Sequence, residues 1–215
     1  MTERQHYRVA VSLEAVAAAW VRQGNAKAGS MVQLSNEVAP RLRDASAWEP
    51  RTGVRAAVIA RPVLRVEQEP LCWVAAVTAG ALACDGVSTW WPDRLLAEDG
   101  ADVGAVNVVT IVSHGRLDAV VVAGRWDLAE TDVERFAAEA IRLLDLVVED
   151  PHALLATHAA HTALFGARVR ATLVPRGELR GVASAIETAG SLLLTSPTGL
   201  IQRLTVDQLR TITPM

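Results

Sequence analysis

The sequence predicts an α+β fold, with strands and helices interleaved as far as residue 165 and a small all-β unit after it. Three observations carry this expectation. Helical patterns recur at 12–26, 67–86, 131–148 and 149–166. Two long β-branched runs, 105–112 and 117–124, are joined by Ser113-His114-Gly115-Arg116. Beyond Gly166, short strands break at Arg176-Gly177, Ala189-Gly190 and Thr198-Gly199 with no helical period except in "TVDQL". That spacing predicts a small C-terminal SH3-like β-barrel and divides the chain into residues 1–165 and 166–215.

The elements follow in order. "SLEAVAAAWVRQGNA" has Ser12 as N-cap, an apolar stripe of Leu13, Val16, Ala17, Trp20 and Val21, and Gly24 as its stop. Residues 30–36 read as a short strand, and 37–53, with two prolines and no period, as a long loop of the kind that carries function. "RAAVIARPVL" is a buried strand, and 67–86 a helix opening on acids and Pro70 and closing at Gly86. A short "STWW" strand leads into "PDRLLAEDGADVG", read as a turn, and then into the hairpin. Residues 131–148 form a helix with Thr131 and Glu134 as a capping box; the next has Pro151 in its first turn and Gly166 as its cap.

Composition narrows the function. The 215 residues are 51% hydrophobic, enough to bury a core, and the formal net charge is -3. No cluster of basic residues is dense enough to neutralise a run of phosphates, so nucleic acid and anionic membrane are not expected partners. Lys27 is the only lysine, which removes the commonest catalytic amine. The N-terminus lacks an apolar segment behind a basic start, so a cytoplasmic location is expected. Cys72 and Cys84 lie on one expected helix, about 18 Å apart, too far to pair.

The order of these elements, with "STWWPDRLL" in the middle, resembles the biotin protein ligases of the biotin/lipoate ligase superfamily. In that family a strand ends in Lys-Trp-Pro-Asn-Asp, a Lys-Leu-Gly/Ala-Gly-Ile-Leu strand and a Gly-Ile-Gly-Ile-Asn strand follow, and a small barrel closes the chain. Here "APRLRDASAW" stands where a Gly-Arg-Gly-Arg loop is found, "AAVIARPV" where a strand ends in Arg-Pro, and "GARVRATLVPRGELRGVASAIETAGSLLL" matches the barrel. The resemblance covers nearly the whole chain. It implies a class II biotin ligase-like mixed sheet with flanking helices, and ATP and biotin as ligands if ligase activity is retained. It also implies that no repressor-type DNA-binding domain precedes the ligase-like pattern.

The motifs depart from the family's wherever its chemistry lies. Pro40, Leu42 and Ala45 replace loop glycines, leaving Arg41 and Arg43. Glycine alone tolerates the backbone that closes over a phosphate, and proline removes an N–H donor. Lys-Trp-Pro-Asn-Asp becomes Trp90-Trp91-Pro92-Asp93-Arg94. The second motif lysine aligns with Asp102, just before Gly104, and an acid there repels a carboxylate and a phosphate. Gly124 persists but Arg125 and Trp126 follow it, and the early Ser-Thr-Asn is reduced to Ser12-Leu13-Glu14.

The residues expected to line any ligand site are therefore Arg41, Arg43, Trp48, Trp90, Trp91, Pro92, Asp93, Gly104 and Arg125, with no catalytic residue and no metal ligand among them. Each has an ordinary reading as well: core mass for the tryptophans, solvated loop arginines, a surface ion pair for Asp93-Arg94. His158 and His161 lack the further ligands a metal needs, and Cys84 lacks a basic partner. Three roles stay open: a ligase-like protein that has lost adenylate formation; a ligase for biotin or another small carboxylic acid that uses Arg41, Arg43 and Arg125 for the missing lysines; and a protein that docks a partner, or a second copy, through its sheet face.

Overall fold

The computed structural model describes residues 3–47 and 53–215, in the order β1 (Arg4–Ala10), α1 (Leu13–Arg22), β2 (Met31–Glu37), β3 (Val54–Ala60), β4 (Leu64–Arg65), α2 (Glu69–Leu82), β5 (Val87–Trp90), β6 (Arg94–Ala97), β7 (Asp102–Ser113), β8 (Arg116–Trp126), α3 (Val133–Glu149) and α4 (Pro151–His161). Five strands complete it: β9 (Arg168–Leu173), β10 (Glu178–Ile186), β11 (Leu192–Thr195), β12 (Ile201–Leu204) and β13 (Leu209–Pro214). The architecture is the expected α+β.

Strand β8 is the axis. Its apolar run is buried on both faces, and it pairs antiparallel with β3 on one side and β7 on the other. His114 and Gly115 turn the β7–β8 hairpin with φ of 50° and 74°, the positive dihedrals a tight two-residue turn needs. The sheet runs β1-β2-β3-β8-β7-β6-β5, with β4 also pairing β8. It is mixed because β1 and β2 are parallel.

Side-chain alternation along β8 sorts the layers. Ala119, Val121 and Ala123 pack with Leu13, Ala17, Trp20 and Val21 of α1. Val120, Val122 and Trp126 face the other way, into a core shared with α2, α3, α4 and the C-terminal strands. Helix α2 is buried almost throughout, as its unbroken apolar sequence requires, and Gly80 lets it approach β7: a Cβ there would lie 2.8 Å from Val106.

The C-terminal strands form a separate antiparallel sheet in the order β12-β11-β10-β9-β13. Among the described residues no ladder joins β12 to β13, so the expected barrel is not closed by hydrogen bonds, and "TVDQL" forms turns rather than a helix.

Several local expectations are corrected. Residues 4–10 form an edge strand that their polar, two-sided exposure concealed. The expected turn 92–104 contains β6, which pairs with both β5 and β7. Asp132 rather than Thr131 caps α3, accepting from Arg135 N at 3.0 Å, and Thr131 instead donates to Leu128 O. Helix α4 ends at His161 rather than at Gly166, and Cys84 lies just past the end of α2. Both cysteines are free and buried. Ser12 caps α1 as expected, and Gly24 follows that helix with φ of 76°.

The buried face of α4 places His158 in the core, its Nδ1 2.9 Å from the Thr78 hydroxyl and its ring edge-on to Phe165. Burial, then the nearby His161, lowers its pKa to about 4 from the ordinary 6.5. A depressed folded pKa adds stability above about pH 6.5 that is lost progressively as pH falls towards 4, about 3 kcal/mol across that window for this single group. Urea unfolding at pH 7.5 and pH 4.5 should show that loss in the native protein and a smaller one in His158→Gln; equal losses would show that His158 does not titrate in this way.

Candidate functional site

Two of the positions where the motifs depart from the family's, Glu14 and Arg125, meet on the α1 side of the sheet. Glu14 sits in the first turn of α1, Glu37 ends β2, and Arg125 projects from β8 beneath them, only 1% exposed. Arg125 donates from Nη1 and Nη2 to the two Glu14 oxygens at 2.7 and 2.6 Å. Its Nε and Nη2 reach the two Glu37 oxygens at 2.7 and 2.8 Å. One guanidinium thus holds two carboxylates in bidentate geometry, the strongest arrangement open to these groups.

Further contacts close the network. Asn107 Nδ2 donates to Glu14 at 3.1 Å, and the Leu13 backbone N–H donates to Glu37 at 2.6 Å, so Glu37 also satisfies the start of α1. Arg55, directly across from Arg125 in the β3–β8 ladder, lies 3.7 Å from Glu37, and the four charges cancel. Burial alone pushes the Glu14 carboxyl upward, but the bonds and charge of Arg125, with Asn107, outweigh it and hold its pKa below the ordinary value. Burial opposes the charge on Arg125, and the two glutamates more than reverse that, raising its pKa. Leu42, at a position where the loop would carry glycine, is buried against Ala105, the β7 neighbour of Arg125.

The other candidates are engaged towards the C-terminal sheet. Arg43 donates to the carbonyl oxygens of Val206 at 3.3 Å, Leu209 at 2.6 Å and Arg210 at 2.8 Å, and its Nε lies 3.3 Å from the Asp93 carboxylate. Asp93 is buried, and burial raises its pKa even against Arg43 and Arg94. The expected Asp93–Arg94 pair is present at 4.0 Å, but Asp93 is buried with Arg43 as its nearer partner, and Arg94 lies closer to Asp102, at 2.8 Å. Trp90 donates from Nε1 to Ile212 O at 3.1 Å. Trp91 is fully buried, Pro92 is buried beside it, and the peptide bond between them is cis. Gly104 is a packing position, since a Cβ there would meet Arg125 O at 2.6 Å. Arg41 is exposed and donates to Ala45 O. Trp48 lies outside the described residues.

Sequence reasoning named Arg125 and the loop arginines, which the structure holds at separate places, and missed Glu37, which ends an ordinary-looking strand. The one available signal was the pair of acids, Glu14 and Glu37, flanking apolar segments whose other buried positions carry no charge. Trp126, noted only as a departure from small residues, covers Gly124 with its own ring, donates to Gly80 O at 3.1 Å and stacks edge-on against Phe136. Among the described residues there is no group of three or more His, Cys, Asp or Glu placed to hold a metal ion, and no helix long and apolar enough to cross a membrane.

A mixed sheet with one helix on its first face, three on the second and an antiparallel sheet at the C-terminus is the biotin protein ligase-like fold, and this chain has it. Its likeness to solved structures runs the full length. The biotin protein ligase of Aquifex aeolicus, solved with biotin and ATP, superposes with a TM-score of 0.74 at 14% identity, over 100% of both chains. The biotin acetyl coenzyme A carboxylase synthetase of Helicobacter pylori, solved with biotinylated ATP, gives 0.62 at 14% identity, over 94% of this chain and 100% of that one. A biotin protein ligase-like protein of unknown function from Silicibacter sp. gives 0.65 at 16%, over 94% of each. No family model and no curated protein matches the sequence.

Removing one member of a buried charge network leaves its partners uncompensated. Arg125→Met should destabilise the protein by about 3–5 kcal/mol in urea unfolding, and adding Glu14→Gln to it, which leaves Glu37 beside Arg55, should restore part of that loss. A single variant within about 1 kcal/mol of the parent would show that the cluster is not desolvated as described.

Proposed function

We propose that this chain is a biotin-protein-ligase-like protein that has lost ATP-dependent biotinyl-AMP formation and acts as a ligand-binding or interaction protein. The observation that carries this is the Arg125–Glu14–Glu37 cluster. Two of its members stand at positions that in the family belong to chemical motifs, and all three satisfy one another without a ligand. To admit a carboxylic acid there, Arg125 would have to release two carboxylates already held in a dry site, at a cost no single new ion pair repays.

The remaining motif positions support the same reading. Leu42 fills a loop position that glycine would leave open, Arg43 is engaged by three carbonyl oxygens and Asp93, and Asp102, in place of a lysine, holds Arg94. Of the three arginines that would serve a ligase with substituted cations, Arg125 has every nitrogen bonded to a glutamate, and Arg43 has both Nη groups on carbonyl oxygens with its Nε 3.3 Å from Asp93. The reading includes the division at residues 165 and 166, a cytoplasmic setting, and, for an interaction role, a protein partner or second copy at the sheet face.

The test is direct. Incubation with ATP and biotin should release no pyrophosphate above background, and a non-hydrolysable biotinyl-adenylate analogue should leave the unfolding temperature unchanged. A ligand at 100 times its Kd stabilises a fold by about 2.7 kcal/mol, a shift of a few degrees for a chain of this size. Such a shift, or pyrophosphate release, would overturn the reading.

A further inference from the structure

In the loop that follows β2, residues 41–47 are bonded among themselves. The Leu42 N–H donates to Ser46 O, the Ala45 N–H to Leu42 O and the Arg41 side chain to Ala45 O, while Asp44 accepts from Ser46. Loops packed on their own groups in this way are frequently functional. Ala45 has φ of 65°, a left-handed dihedral that is costly for a residue with a Cβ and persists only where the surrounding structure enforces it.

Among the described residues, every hydrogen bond from this loop to the C-terminal sheet comes from Arg43, through the carbonyl oxygens of Val206, Leu209 and Arg210. The last two belong to β13, whose outer edge pairs with no described strand, so a side chain covers acceptors that a neighbouring strand would otherwise take. The hold is incomplete. Arg43 Nε is sealed from solvent without a hydrogen bond, 3.3 Å from Asp93, and a buried donor left unbonded costs stability. Arg43 also stands between two concavities. One, of about 600 Å³, lies against the start of α2, and the other, of about 290 Å³, runs along β13 past Trp90; Arg43, Asp44 and Arg210 line both.

We propose that residues 42–47 are a strained strap that Arg43 latches across a single groove beside β13. When Arg43 lets go, Ala45 returns to a negative φ and the bonds inside the strap break. The two concavities then join, and the carbonyl edge of β13 is uncovered. Strain in the strap favours opening and the three carbonyl bonds of Arg43 oppose it, so the two states differ by little more than one side chain's contacts. The strap deepens the ligand-binding role proposed above, since it controls entry to a groove of this protein, but its opening does not depend on whether adenylate formation is lost.

Hydrogen–deuterium exchange of the full chain tests it. In Arg43→Gln, residues 42–47 and 206–212 should both exchange at least about fivefold faster than in the parent, while β7 and β8 keep the parent's protection. Arg43→Lys leaves Asp93 its counter-charge, so the fold is not at risk, but a single ammonium cannot hold three carbonyl groups in the same way. It should raise exchange in the same two segments by about twofold or more. Parental exchange in both variants would show that the strap stays shut without its latch. A rise in one segment alone would show that the two do not open together, and an equal rise in β8 would make Arg43 a member of the core rather than a latch. Each of these outcomes would overturn the proposal. None involves ATP or biotin, so the strap and the loss of adenylate formation fail separately.

Discussion

A fully buried guanidinium gripping two glutamates is the constraint around which the α1 side of this protein is arranged. An arginine on the central strand of a sheet is tolerable only if every donor finds an acceptor and its charge is matched. That requirement fixes the first turn of α1 over β8, brings the end of β2 to the same point, and sets Arg55 across the ladder to balance the second carboxylate. Leu42, in the loop that follows β2, seals the network against Ala105.

On the opposite side of the loop, polar groups that stand at motif positions hold the C-terminal sheet in place. Arg43 reaches the carbonyl oxygens around Val206 and Leu209, and Trp90 reaches Ile212. The two adjacent tryptophans at the end of β5 divide the work: Trp91 fills the core and Trp90 joins the sheets. Bidentate and indole donors suit this work because each satisfies exposed carbonyl groups at a sheet margin that would otherwise meet an apolar neighbour.

The fold was largely legible in the sequence because its main signals are local. The β7–β8 hairpin declares itself through His114-Gly115, α2 through an unbroken apolar run, and the tail through glycines at its turns. What escaped was settled by long-range contact. Strand β1 has exposed residues on both faces, so no alternation marks it, and only pairing with β2 makes it a strand. Strand β6 hides in a turn-like stretch because its four residues draw their partners from β5 and β7. The cap of α3 moved by one residue because Asp132 outcompetes Thr131 as an acceptor at that position. For the candidate site, departures from the family's motifs could be read position by position, but whether Arg125 faced a ligand or two acids depended on Glu37, distant in sequence and unremarkable in context.

The close approach of Gly190 to the start of α2 has a consequence of another kind. A Cβ at Gly190 would stand 2.6 Å from Pro70, and one apolar cluster runs without a break from α2 into β9, β10 and β11. The C-terminal sheet is therefore not an appendage on a tether. Because both sheets draw on that one cluster, opening either exposes part of the other's core, and heat or denaturant meets two sheets whose unfolding is coupled.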